Sequence, residues 1–299
     1  MDRFKAMRVF VRVVERRSFS RAAEDLDMPA STVTDAVKRL ETRLKVRLLE
    51  RTTRQVRTTQ DGDAYYQRCL SILADLEEAD SAFLSAKPKG LLRVGVQGTQ
   101  ARHFIVPGLP EFFARFPDVE LYLNESDRYI DLVREGIDCV LRAGEPKDSD
   151  LSARPIAMLT EVTVAAPGYL SRHGTPTTWR ALDGHRMVGF RSSATGSILP
   201  LEFMVDGRGE QVSLPATLSV DGGDTYRAAA LQGLGLIQVP RFSVERDLEE
   251  GTLVEVLAAT PPSPTPVYVL YLRNRRLSLR VRVFIDWVVE AFAALAGTR

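Results

Sequence analysis

The sequence predicts a chain in three unlike parts: an all-α head folded as a winged helix-turn-helix, one long pairing helix, and an α/β body. Three observations carry this expectation. Residues 30–59, ASTVTDAVKRLETRLKVRLLERTTRQVRTT, hold eight Lys/Arg against three Asp/Glu in a chain whose net charge is only +1. Residues 63–86 repeat an apolar side chain at alternating steps of four and three. From residue 91 onward, short apolar strands alternate with helical stretches.

The totals set the frame. At 299 residues the chain is long for one core and suits two or three domains. Its two cysteines, Cys69 and Cys139, make no disulfide framework and read as small buried hydrophobes in a reducing cytoplasm. The first residues, MDRFKAMRVFVRVVERRSF, are too charged for an export signal, and no apolar run is long enough to span a membrane. The small net charge hides an asymmetry. Residues 1–60 carry fifteen Lys/Arg against eight Asp/Glu, a balance of +7, which leaves −6 on the remainder. A basic head on a mildly acidic body points to an anionic partner at one end.

In the head, Met7, Phe10, Val11, Val14 and Phe19 fall at helical spacing and predict a first amphipathic helix. A second, short helix follows with Ser20 as its expected N-cap and Ala22, Ala23 and Leu26 as a small apolar face. After DMPA, Val33, Val37, Leu40 and Leu44 make one buried stripe, with Ser31, Asp35, Lys38 and Thr42 opposite and Thr34 and Arg39 flanking. Two short helices joined by a tight turn, the second with a hydroxyl-rich start and a basic outer face, form a helix-turn-helix. Hydroxyls at the helix start can reach phosphates or base edges, and Lys38 and Arg39 can neutralise phosphates. The stretch VRLLERTTRQVRTT then predicts a β-hairpin wing that carries Arg51, Arg54 and Arg57. The alternative, a helical hairpin with a solvated charged face, does not account for the whole helix–turn–helix–wing succession together with its charge.

The run SFSRAAEDLDMPASTVTDAVKRLETRLKVRLLERTTRQVRTTQDGDAYY resembles the N-terminal domain of LysR-type transcriptional regulators. The family pattern Ser-Phe-Ser/Thr-x-Ala-Ala-x-x-Leu, Arg-Leu-Glu and Leu-(Phe/Leu)-Glu-Arg-Thr is met at Ser18–Leu26, Arg39–Glu41 and Leu48–Thr52. Pro29-Ala30 stands where the family usually has Ser-Gln. The expected contacts to double-stranded DNA are therefore Ser20, Arg21, Ser31, Thr32, Thr34, Asp35, Lys38, Arg39, Arg51 and Arg54.

The next segment predicts pairing. Tyr65, Cys69, Ile72, Leu76, Ala79 and Phe83 form a heptad seam on a helix of roughly 35 Å. In the resembled family this linker helix joins two subunits, so a dimer through the seam and a tetramer or higher oligomer are expected. KPKG at 87–90 reads as a hinge.

In the body, strands are expected at 91–96, 119–124, 138–142, 161–166, 187–190, 235–239 and 267–272, with helices near 102–116, 128–135, 225–232 and 278–295. This alternation predicts open, largely parallel sheets that bind ligands at their strands' carboxyl ends. NESDRYIDLVREGIDCVLRAGEP, PGYLSRHGTP and LQGLGLIQVP resemble LysR-type effector domains, which are similar to type 2 periplasmic binding proteins. That resemblance implies two α/β lobes with two chain crossings, near Thr160–Val162 and Thr265–Val267. The expected division is a DNA-binding domain at 1–60, a linker helix at 61–86 and an effector domain at 87–299. Its lobe I covers about 90–161 and 267–299, and its lobe II about 162–266. Turn positions nominate the pocket for a small-molecule effector: Gly98, Thr99, Gln100, Ser126, Asp127, Arg142, Arg191, Ser192, Ser193, Gly222 and Gly223. Arg142 and Arg191 could clamp a carboxylate, or each could serve in an ordinary ion pair.

An enzyme reading finds little. His103, His173 and His185 are the only histidines and lie too far apart in sequence for a helical metal site. No nucleophile elbow, Walker A sequence or H-E-x-x-H is present, and GVQGTQ lacks the third glycine of a dinucleotide fingerprint. A detached solute-binding protein would need an export signal. No metal, cofactor or catalytic residue is expected.

Overall fold

The computed structural model describes residues 2–51, 56–81, 87–128, 131–146, 151–193, 195–273 and 277–296. The head begins with α1 (Arg3–Arg16), which buries Met7, Phe10 and Val13 and ends where Arg17 turns left-handed. α2 (Phe19–Asp25) is capped by Ser18, whose hydroxyl accepts the Arg21 N–H at 3.3 Å. The cap is therefore Ser18, not Ser20, because the extended residue lies two positions earlier and Ser20 is already inside the helix. α3 (Ala30–Leu44) starts after Pro29 and buries Val33, Ala36, Val37 and Leu40, as the stripe predicts, with Leu44 half-buried.

The wing is an antiparallel pair, β1 (Leu49–Arg51) and β2 (Val56–Thr58). α4 (Gln60–Ser81) leaves directly from it. Two clasps hold the wing. Glu41 Oε1 accepts the backbone N–H groups of Leu48 at 2.9 Å and Leu49 at 3.1 Å. Gly62, in the first turn of α4, lies so close to the wing that an added Cβ would sit 1.9 Å from the Leu48 carbonyl oxygen. Leu48 and Phe10, each fully buried, contribute about 1.5–3 kcal/mol apiece to this core.

The body starts with β3 (Gly90–Val96) and a continuous helical run: α5 (Gly98–Gln100), a π turn over Ala101–Ile105, a 3-10 turn over Val106–Gly108, and α6 (Leu109–Arg115). It continues through β4 (Val119–Glu125), α7 (Leu132–Glu135), β5 (Cys139–Ala143) and β6 (Leu151–Leu159). The chain then passes Thr160 into a second lobe. This contains β7 (Glu161–Ala165), α8 (Pro167–His173), β8 (Gly189–Phe190), β9 (Leu201–Val205), β10 (Arg208–Val212) and β11 (Ser219–Val220). It is completed by α9 (Gly223–Leu231), β12 (Ile237–Pro240), α10 (Glu245–Glu249) and β13 (Val254–Val256). β14 (Thr265–Leu272) and α11 (Leu279–Ala296) return to the first lobe.

The first lobe's sheet runs β4-β3-β5-β14-β6. β3 is parallel to β4 and β5, whereas β14 is antiparallel to β5 and β6. The second lobe's central sheet, β12-β7-β13, is antiparallel throughout. Neither sheet is largely parallel: the first is mixed because β14 re-enters it from the other lobe in the opposite sense, and the second is antiparallel. Leu92, Phe112, Leu141, Phe284 and Val288 centre the first lobe's core, and Val162, Val164, Ala230 and Ile237 the second's. α4 approaches the body closely: a Cβ at Gly136 would lie 2.8 Å from Gln67 Cβ.

Candidate nucleic-acid interface and interlobe cleft

α3 presents one face to the head's core and the other to solvent. Ser31, Asp35, Lys38 and Arg39 are exposed, and Thr32 and Thr34 are half-buried at its start. Ser20 and Arg21 are exposed on α2. By contrast, Arg16 is spent on structure: its Nε and Nη2 hold both oxygens of Asp25 at 2.5 and 3.0 Å, locking α1 to α2. That hydrogen-bonded pairing raises the Arg16 pKa and lowers that of Asp25. Thr42 returns its hydroxyl to the Lys38 carbonyl at 2.8 Å, so it offers α3's outer face a donor already in use. Arg51 belongs to β1, opposite Val56, and Arg57 stands opposite Glu50. The Arg51 side chain and all of Arg54 lie outside the described residues.

The heptad seam divides. Tyr65 and Cys69 do not face outward: Tyr65 packs its ring 5.5 Å from that of Phe10, and Cys69 is fully buried in the head's core. Burial pushes the Cys69 thiol up to about 12, as expected of an inert thiol. The first four turns of α4 complete the helix-turn-helix core, so their apolar residues have a partner within the chain. Ile72 sits at the edge of that core, and Leu76 is half-buried beyond it. The Ala79 side chain and Phe83 lie outside the described residues.

Between the lobes lies a cavity of about 520 Å³. Thr99, Gln100, Asp127 and Gly223 are on its wall, while Gly98, Ser126 and Gly222 are their immediate neighbours and do not line it. Ser126 instead accepts the Arg128 N–H at 3.2 Å, closing its own turn. Arg142, Arg191, Ser192 and Ser193 are also off the wall. Arg142 Nη2 donates to Ser193 Oγ at 2.7 Å and its Nη1 to the Arg128 carbonyl at 3.1 Å, linking the two lobes. Arg191 donates to the Gly196 carbonyl at 2.5 Å within its own loop. The two arginines therefore form no carboxylate clamp, since each guanidinium serves a backbone carbonyl.

Further contacts hold the cleft across the lobes. Asp127 Oδ2 accepts the Gly223 N–H at 3.3 Å at the start of α9, and Arg102 pairs with Asp224. Burial raises the Asp127 pKa against the lowering effect of Gly223 and Gln97. The wall also includes residues that turn positions do not reveal, among them Glu161, Tyr226, Gln238 and Phe242. Glu161 begins β7 at the crossing between the lobes. It is buried, and desolvation pushes its carboxyl up to about 7 despite a hydrogen bond with Thr265. A lone acid at the head of the apolar run EVTVA was the available signal. Gln238 donates to Thr163 Oγ1 at 3.0 Å and the Glu202 carbonyl at 2.7 Å, while its own oxygen accepts the Glu202 N–H at 2.7 Å.

The histidines serve packing. His173 stacks on Tyr169, His185 Nδ1 lies 3.1 Å from the Tyr169 hydroxyl, and His103 meets the edge of Phe242. Among the described residues no three His, Cys, Asp or Glu side chains gather as metal ligands, and no helix is long and apolar enough to cross a membrane.

The arrangement matches known proteins over nearly its whole length. Residues 4–63 fit the model of the bacterial regulatory helix-turn-helix protein of the lysR family, and residues 85–293 that of the LysR substrate binding domain. The transcriptional regulator YhjC of Escherichia coli is 37% identical over 96% of this chain and 97% of its own. CrgA of Neisseria meningitidis is 37% identical over 94% of each chain. A solved CrgA structure covers 96% of this chain and 98% of its own, with a TM-score of 0.60 and 36% identity. The full-length structure of AphB, a virulence activator of Vibrio cholerae, covers 97% of this chain and 99% of its own, with a TM-score of 0.59 and 27% identity. The chain belongs to the LysR family of transcriptional regulators, a DNA-binding head joined to an effector-binding domain and not an enzyme.

Proposed function

We propose that α3 enters the major groove of a promoter with Ser31, Thr32, Thr34 and Asp35 toward base edges and Lys38 and Arg39 toward phosphates. Ser20 and Arg21 contact the flanking backbone, and Arg51 and Arg54 of the wing contact the backbone or minor groove. The observation that carries this reading is the exposed polar and basic face of α3, opposite a face wholly given to the head's core. Two heads join through the outer half of α4, around Leu76, and body contacts build a tetramer. The working divisions are 1–60, 61–86 and 87–299, and the setting is the cytoplasm. A small molecule in the interlobe cleft binds one arrangement of the oligomer better and so changes the spacing of the heads on DNA.

DNase footprinting on the region upstream of the protein's own coding sequence tests the paired heads. Protection is expected in two patches separated by about 34–36 Å or a multiple of it. A single isolated patch would overturn the pairing.

A further inference from the structure

The cavity wall holds three carboxylates, Asp127, Glu161 and Glu202, and among the described residues no Lys, Arg or His. Carboxylates alone would say little about a ligand. A chain of amides beside them says more. Gln97 Oε1 accepts the Ala143 N–H at 3.2 Å, which fixes that atom as oxygen, and the other end of the same amide donates to Asp127. The Gln100 atom 3.1 Å from Gln97 Oε1 must then be its nitrogen. This turns the Gln100 oxygen away from Gln97. Gln100 is only 2% exposed, and its Oε1 has no hydrogen-bond partner among the described residues.

A buried acceptor left without a donor is costly, and a ligand's N–H would recover that cost. Gln238, also on the wall, has its amide engaged by Thr163 and Glu202. The wall's other side-chain donors are neutral: the Gln211 amide and several hydroxyls. Beside these polar groups, Leu159, Leu201, Val239 and Phe242 supply an apolar wall.

We infer that this cleft takes a cationic, hydrogen-bond-donating ligand: an ammonium or amidinium group carried on an apolar body. The cation lies among Asp127, Glu161 and the Gln100 oxygen, and the apolar part lies on the Leu159–Phe242 side. The inference rests on the reading of the cleft as the effector site and names the ligand's class. It excludes simple carboxylates, which would meet three acids and no compensating cation.

Calorimetric titration of the full-length protein at pH 8 tests it, using phenethylammonium, benzylammonium and hexylammonium and the carboxylates of matching skeleton. The ammonium ions are expected to bind at least roughly tenfold more tightly than their carboxylate counterparts. Glu161→Gln and Asp127→Asn should each weaken ammonium binding by roughly tenfold. Circular dichroism confirms that each variant is folded. Asp127 is only half-buried, so Asp127→Asn carries the test if Glu161→Gln does not fold. Tighter binding of the carboxylates overturns the inference while leaving the cleft an effector site. Ammonium binding unchanged in Asp127→Asn, or no ammonium binding at about 10 mM, also overturns it, and the footprint above judges the regulator separately.

Discussion

Replacing Glu41 by alanine removes the side chain that joins the recognition helix to the wing. Its Oε1 accepts two backbone donors, from Leu48 at 2.9 Å and Leu49 at 3.1 Å, and both residues are at most 6% exposed. Truncation leaves two buried N–H groups without an acceptor, each costing about 1–3 kcal/mol. The carboxylate is partly solvated, and water can reach the clasp once the side chain is gone. We therefore expect a loss of about 2–4 kcal/mol from the head. Glu41→Gln keeps a carbonyl acceptor and should lose about half as much. Urea denaturation separates the head from the body: both tryptophans, Trp179 and Trp287, follow the body alone, whereas far-UV circular dichroism follows head and body together. The head's midpoint should fall with an unchanged slope, and the body's should stay in place. DNA affinity should fall with it, since the wing would no longer be held against α3. An alanine variant whose head unfolds at the native midpoint would refute the clasp.

Other perturbations reach separate parts of the molecule. Lys38→Ala should weaken DNA binding about equally for all sequences and reduce the salt slope by about one; an unchanged slope would mean that Lys38 touches no phosphate. Leu76→Asp should break pairing, read as a halved mass by light scattering, and an unchanged mass would move the interface off α4. Glu161 gives stability a definite pH dependence. Its folded pKa of about 7 lies above the ordinary 4.5, so the folded state binds the extra proton. Its stabilising effect is complete below pH 4.5 and is lost as pH rises to about 7, up to about 3 kcal/mol. The melting temperature of Glu161→Gln should therefore fall less than that of the native protein between about pH 5 and 8, and parallel curves would place the titration elsewhere.

Much of the head was legible because its signals are local. Val33, Val37 and Leu40 repeat at helical spacing and are buried as that spacing requires. The seam shows where periodicity stops informing: Tyr65 and Cys69 fit a pairing helix and a docked helix equally well, and only the fold reveals that α1 already covers them. In the body, β6 was hidden by Arg154 and Pro155. It lies at the edge of its sheet, where a proline costs no ladder bond on the open side. The β9–β10 hairpin had a readable signal, Asp206-Gly207, whose φ values of 50° and 76° suit a tight turn between extended strands. The cleft was only partly readable. Thr99, Gln100, Asp127 and Gly223 sit at element ends, which turn logic finds. Glu161, at the head of β7, left only the faint signal of a lone acid before an apolar run, and Gln238 within β12 gains meaning only from what faces it.

The head is built to read specific DNA. The most direct test incubates the purified protein with fragmented genomic DNA of its host at two salt concentrations. A sequence-reading head should enrich a few fragments carrying inverted repeats and retain them at the higher salt. Uniform capture that the higher salt abolishes would contradict this, showing a head that holds phosphates without reading sequence.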